Sequence, residues 1–353
     1  MKSVVLVNDT TTQMHHGCEL VMRQIRLLLA KRGIKVLATS DEGTDWRNDQ
    51  AFLAAAARCD AIIVNGEGTI HHNRPAGRKL LEVTELAEKH RIPAFLINTT
   101  YQDNPPEFKQ YLDKFSAIFV REGESAKELA KIAVPSTVVP DITLSYDYQP
   151  HSERKNIGVS DSSITPISKK LFALCRENDA LFLPVLRSSK YDGVFNLTER
   201  LRDVKFELTK LKLKLSGSEE YLQLRNLYVK KSIKQFFDAV ASCHVVVSGR
   251  FHVICFCLLT ETPFLGIDGN SHKIQSMLND IGLSPDRIIA ENAIASIAMT
   301  SNYTYTQEEL TALRAFKLQA RAGINSMFDV IAQAINATPL SAAQSASALN
   351  PNG

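Results

Sequence analysis

Residues 244–267 read His244-Val-Val-Val-Ser-Gly-Arg-Phe-His-Val-Ile-Cys-Phe-Cys-Leu-Leu-Thr-Glu-Thr-Pro-Phe-Leu-Gly-Ile267. A β-branched apolar run ends at Ser248-Gly249, a helix-length apolar stretch follows, and a second strand-like run opens at Pro263. Strand, helix and strand in direct succession make a βαβ unit, which forces parallel pairing. Working outward, the same alternation fills the chain. Val4–Val7, Lys35–Thr39, Ala61–Val64, Ala94–Asn98, Ala117–Val120 and Thr137–Val139 are short apolar runs separated by helix-length segments. Leu20, Val21, Ile25, Leu28 and Leu29 recur at steps of three and four before a stop at Gly33. Ser125-Ala-Lys-Glu128 has the spacing of a capping box. Strand–helix alternation restarts after the polar stretch Ser145–Lys155, with strands expected at Asn156–Val159 and Ala180–Val185 and an amphipathic helix from Val194 to Leu211. Ser232 with Gln235 caps a further helix. Two Rossmann-like domains follow, each a parallel sheet covered by helices: residues 1–148, residues 149–336, and a low-complexity tail at 337–353.

Composition bounds the rest. With 353 residues, 44% hydrophobic and 22% charged, the chain is excluded from disorder, coiled coil and small disulfide scaffolds. Lys+Arg 41 against Asp+Glu 38 gives +3, too little to argue for a nucleic-acid partner. No apolar run approaches the ~20 residues of a membrane span, and the N-terminus lacks the apolar core of a secretory signal. The six cysteines show no paired-ligand spacing, so they read as reduced, buried thiols of a cytoplasmic protein, with no metal. Charge is nonetheless uneven: residues 200–234 hold ten Lys/Arg against four acids. A basic helix there would lie against anionic lipid, a peripheral contact at the inner membrane face; the alternative is a solvated helix face.

Chemistry concentrates where strands end. Arg250 and His252 fall at a strand-to-helix turn, on the sheet edge where open α/β folds bind ligands and beside a helix N-terminus that favours anions. Arg supplies a fork of donors for carboxylate or phosphate, and His moves a proton near neutral pH. The plainer alternative is an Arg paired to a neighbouring acid and a His that caps a helix.

Ser248-Gly-Arg250-Phe-His252, the apolar helix after it, Thr262-Pro263-Phe-Leu-Gly-Ile267 and Lys273 together resemble the signature of the polysaccharide pyruvyl transferase family. Ala117-Ile-Phe-Val-Arg121-Glu-Gly-Glu-Ser125 and Val138-Val-Pro140-Asp141-Ile-Thr-Leu resemble two further segments of it, and the resemblance spans roughly residues 1–290. It implies a GT-B-like fold of two facing domains. The implied activity is transfer of the enolpyruvyl group of phosphoenolpyruvate to two hydroxyls of a sugar in a surface polysaccharide or its lipid-linked precursor. A pyruvate ketal forms and phosphate leaves. Phosphoenolpyruvate is then the anionic donor substrate, with no separate cofactor. On that reading Arg250 clamps the donor, His252 is the acid/base, Lys273 meets the phosphate, and Ser248 and Arg121 complete the donor side, with Asp141 as an alternative partner of Arg121.

The first domain would supply the acceptor wall. Asn65-Gly66-Glu67-Gly68 follows a strand, where glycines let backbone approach a ligand and Glu67 would act as base on an acceptor hydroxyl; a tight turn with Glu67 facing water is the alternative. His71 and His72 lack the partners of a metal site. Near the N-terminus His15-His16-Gly17-Cys18-Glu19 stands where the family often has N-x-G-D/E: Gly17 and Glu19 fit, and the histidines depart. Glu19 and His16 are the acceptor candidates here, beside Gly66 and Gly68. Two other functions stay open: a GT-B glycosyltransferase using a nucleotide sugar, and a non-catalytic glycan-binding member of the family.

Overall fold

A computed structural model describes residues 1–149, 153–185, 232–269 and 271–337, together with Leu208, Leu211 and Leu215. In the first half the order is β1 (Ser3–Asp9), α1 (His16–Ala30), β2 (Lys35–Asp41), α2 (Gln50–Ala56), β3 (Ala61–His71), α3 (Pro75–Leu81), α4 (Val83–His90), β4 (Ala94–Gln102), α5 (Lys109–Leu112), β5 (Ala117–Val120), α6 (Gly123–Lys131) and β6 (Thr137–Val138). The second half runs β7 (Asn156–Ser162), α7 (Thr165–Glu177), β8 (Leu181–Phe182), α8 (Ile233–Ala241), β9 (Cys243–Gly249), α9 (Phe251–Thr260), β10 (Phe264–Ile267), α10 (Lys273–Ile281), β11 (Ile288–Ile289) and α11 (Gln307–Ala337).

All described strand pairs are parallel. The first sheet is ordered β2-β1-β3-β4-β5-β6 and the second β11-β10-β9-β7-β8. Each sheet therefore reverses direction once, between β1 and β3 in the first and between β7 and β9 in the second. Within the broader Rossmann-like class this is the flavodoxin-type order, and the reversal opens a crevice at the carboxyl ends of those strands. The α/β, GT-B-like architecture expected from the sequence is thus the observed one.

The sequence pattern explains the layers. Alternate residues of each strand enter different cores: Val4 and Leu6 of β1, Ala61 and Ile63 of β3 and Phe95 and Ile97 of β4 face one, while Val5, Val7, Ile62, Val64, Ala94 and Leu96 face the other. The first of these cores continues into the second half through Val246, Phe264, Phe236 and Phe237. A third core lines the far face of the second sheet. Helix α9 is buried at every position, which is why its sequence is apolar all round rather than striped. Helix α11 returns across the molecule: Arg32, in the turn after α1, pairs with Asp329 at 2.8 Å, and Arg321 donates to the Tyr146 carbonyl at 3.0 Å.

Several local expectations need correction. Ser232 and Gln235 do form a capping box on α8. Ser125 does not cap α6: the helix starts at Gly123, its cap is Glu122 without a side-chain bond, and Ser125 lies inside. Its hydroxyl instead accepts from Tyr101 N at 2.7 Å and donates to Glu122. Strand β3 does not end at Val64 but runs to His71 through a bulge at Glu67, whose φ is 42°. Most of the helix expected at 194–211, nearly all of the basic stretch 200–234, and the tail beyond Ala337 lie outside the described residues; Leu208 and Leu211 are helical and exposed. Among the described residues no helix is long and apolar enough to cross a membrane, and all six cysteines are buried and unbridged.

Candidate active site

The two crevices meet across the interface of the sheets, and most of the candidate residues gather there. Arg250 caps α9 at the end of β9, with its backbone extended (φ −107°, ψ 119°). Ser248 fixes this turn: its buried hydroxyl accepts from Arg250 N at 3.0 Å, so it holds the Arg250 backbone. Arg250 reaches across the β7/β9 reversal to pair with Asp161, leaving its Nε buried and without a hydrogen-bond partner. Ser162 crowds Gly249 on the same edge, where a Cβ on Gly249 would come 2.6 Å from that of Ser162.

Arg121 arrives from the end of β5. Its Nε donates to Thr100 Oγ1 at 2.8 Å and its Nη1 to Asp141 Oδ2 at 3.3 Å, and its guanidinium lies 4.3 Å over the Phe251 ring. Asp141 is fully buried, accepts from the Thr143 amide and hydroxyl, and stands 3.7 Å from His252 Nε2. Burial opposes its charge, yet His252, Arg121 and Thr143 outweigh that and hold its carboxyl far below the usual range. Asp141 therefore backs both the Arg and the His: the pairing with Arg121 is the one the sequence offered, and the contact with His252 is not.

Lys273 begins α10, partly buried. Desolvation, then the charges of Arg121 and Arg250, push its ammonium down to about 8, against the pull of Glu122 and Glu67. A Cβ on Gly68 would sit 3.5 Å from Arg121 Nη2 and 3.7 Å from Lys273 Nζ, so Gly68 does face this cationic corner. Gly66 does not. The space beside it is filled by Thr99, whose Oγ1 would be 2.3 Å from an added Cβ, and its small size serves strand packing. Glu67 is buried between the two: Thr10 Oγ1 donates to it at 2.6 Å, Asn65 Nδ2 at 3.1 Å and Cys18 Sγ at 3.5 Å.

At the start of α1 two neighbouring histidines part company. His16, the acceptor candidate, is buried with its ring 4.5 Å from that of Phe236, inside the joint between the halves. Glu19 stays in the first turn of α1, half-buried. It is His15 that reaches the crevice, ring centroid 5.3 Å from His252 and edge-on to it. Gly17 permits this, since its Cβ would fall 2.2 Å from His252 Cγ. Nothing in the local pattern separates His15 from His16; the β-to-helix transition at His15 does. Asp161, likewise unremarked in the sequence, becomes visible only through the β7–β9 pairing.

One ring nitrogen each of His15 and His252 and the Cys18 sulfur lie within 4.8 Å of one another, a donor set a soft metal could use. As it stands, hydrogen bonding occupies it. His15 Nδ1 accepts from Gly17 N at 3.0 Å and Cys18 N at 3.4 Å, and burial followed by Glu67 pushes the Cys18 thiol well up, away from the thiolate a metal needs.

The sequence model of the polysaccharide pyruvyl transferase family matches residues 15–271, which contain all of these groups except Thr10 and Lys273. The chain belongs to the polysaccharide pyruvyl transferase family. No curated protein sequence matches it. Among solved structures, S. aureus MnaA in a co-structure with UDP superposes with a TM-score of 0.51 at 12% identity, over 91% of this chain and 98% of that one. UDP-GlcNAc 2-epimerase from Neisseria meningitidis bound to UDP-GlcNAc gives 0.46 at 10% identity, covering 96% and 100%. The spinosyn rhamnosyltransferase SpnG complexed with thymidine diphosphate gives 0.39 at 11% identity, covering 100% of each. At 12% identity the likeness to MnaA is one of fold.

Proposed function

We propose that this family member transfers the enolpyruvyl group of phosphoenolpyruvate to a sugar of a surface polysaccharide or its lipid-linked precursor. The observation that carries the reading is the convergence of Arg121, Arg250 and Lys273 on one corner of the cleft beside His252. A small donor with a carboxylate and a phosphate needs that density of cations and one proton carrier. His252 gives a proton to the methylene carbon and regains one from an acceptor hydroxyl as its oxygen bonds to the former enol carbon. The second hydroxyl then gives its proton to Glu67 and displaces phosphate, closing the ketal, and the phosphate departs toward Lys273 and Arg250. Asp141 stabilises the protonated His252, and Glu67 is the base available on the acceptor side.

The test is phosphate release from phosphoenolpyruvate in the presence of candidate glycans. Turnover is expected, with His252→Ala and Arg250→Ala each lowering kcat/KM by about 100-fold or more. Because Lys273 loses its charge near pH 8, KM for phosphoenolpyruvate should climb above that pH, by up to roughly tenfold per unit. Consumption of a nucleotide sugar instead would make the protein a glycosyltransferase. Thermal stabilisation by glycans alone would make it a non-catalytic binder.

A further inference from the structure

The backbone fixes the proton of the His15 imidazole. Its main chain is extended (φ −102°, ψ 126°) and its Nδ1 faces the open N-terminus of α1, accepting from the amides of Gly17 and Cys18. A nitrogen that accepts two N–H groups carries no proton, so the ring hydrogen sits on Nε2. A second proton is opposed by burial first, then by the charges of His252, Arg250, His16 and Lys273, which together hold His15 well below the usual range for histidine. The helix end adds its positive pole. His15 is thus locked as a neutral ring with one hydrogen to give and no site to accept one.

Its position is fixed as firmly as its state. The amide of His16 donates to the Val185 carbonyl of the second half at 3.0 Å, and the His16 ring packs on Phe236 of α8. These contacts pin the first turn of α1 to the half that carries His252, so the two rings hold their edge-on arrangement across the boundary.

We propose that His15 is a hydrogen-bond donor in the reaction, giving its Nε2–H to the acceptor oxygen whose proton His252 removes. Negative charge builds on that oxygen as its proton moves to His252 ahead of oxygen–carbon bond formation, and a donor that cannot itself ionise stabilises it without competing for the proton. The identity of the oxygen rests on the pyruvyl-transfer reading; the state of the ring does not.

Two measurements on the full chain separate these. Histidine-selective 15N NMR should show one ring as the neutral Nε2–H tautomer from about pH 5 to about pH 8, with that signal absent in His15→Asn. A cationic or Nδ1–H ring at His15 overturns the proposal whether or not phosphoenolpyruvate turns over. For kinetics, His15→Asn keeps a strong helix cap and lacks the distal N–H, whereas His15→Gln extends an amide N–H to that distance and caps poorly. A donor role predicts that His15→Asn folds with an unchanged unfolding midpoint and loses about 100-fold in kcat, with KM for phosphoenolpyruvate intact. His15→Gln should then recover about tenfold of that loss. Full activity in His15→Asn, or lower activity in His15→Gln than in His15→Asn, reduces His15 to a helix cap and overturns the assignment. Absence of any turnover in the native chain would defeat the pyruvyl-transfer reading and leave the NMR result to decide the ring state.

Discussion

Among the described glycines, the closest approach of a neighbouring side chain is at Gly17. Gly17 lies where α1 passes the His252 ring, and an added methyl would stand 2.2 Å from Cγ and 2.4 Å from Nδ1. His252 cannot yield freely, since it is buried between Asp141 and His15. Gly17→Ala should therefore lower kcat by about 100-fold through displacement of the imidazole, and cost about 1–3 kcal/mol by overpacking. Steady-state kinetics and urea unfolding check both, and native kcat in the variant would show that the ring has room to move. At this scale the sequence was informative where chemistry and chain geometry coincide. Arg250 and His252 stand out because a β-branched run stops at Ser248-Gly249 and an apolar helix begins. Asp141 was legible only as a partner of Arg121; Asp161 and His15 do not stand out, because each owes its position to a partner far away in the chain.

Elements were legible in their existence and far less so in their ends. Period-two burial on both sheet faces leaves strands as unbroken apolar runs, so β5 was read to its exact limits, Ala117–Val120. Strand β3 was cut short because Asn65-Gly66-Glu67-Gly68 looks like a turn. The strand survives there through tertiary support: Glu67 pairs with Thr99, Thr99 fills the space beside Gly66, and three donors hold the carboxylate. The start of α6 fails for the same kind of reason. Ser125 has capping-box spacing, yet its hydroxyl ties the β4 backbone at Tyr101 to the buried carboxylate of Glu122, next to Arg121 in the chain. Ser125→Ala would leave an amide and a carboxylate buried without that partner, and should cost about 1–3 kcal/mol in urea unfolding. A loss below about 0.5 kcal/mol would mean that neither bond contributes and that only a frayed cap was removed.

At the scale of the whole molecule, what matters is that two sheets with the same strand order present their reversal points to one cleft. Parallel pairing follows from the alternation of strand and helix, but neither the strand order nor the facing of the two halves does, because both are set by contacts that join distant segments. Helix α11 supplies several of them. It starts beside the second sheet and ends against α1, so whatever anchors its start also holds the halves together. The anchor is Arg287, whose Nε and Nη2 grip Glu309 at 2.7 and 2.6 Å while the guanidinium lies 4.3 Å over Tyr305. The Arg287 hydrogen bonds, working against burial, pull the Glu309 carboxyl down to about 2 from an ordinary 4.5. A carboxyl lowered on folding contributes stability that is complete above its unfolded value and disappears as pH falls through the folded one. Glu309→Gln should therefore unfold more easily by about 3 kcal/mol near neutral pH, since it strands a buried guanidinium. The gap between native and variant should narrow steadily from about pH 4.5 toward pH 2. Urea midpoints measured across that range test the claim, and a gap independent of pH would mean that packing of the side chain, not its charge, secures the helix.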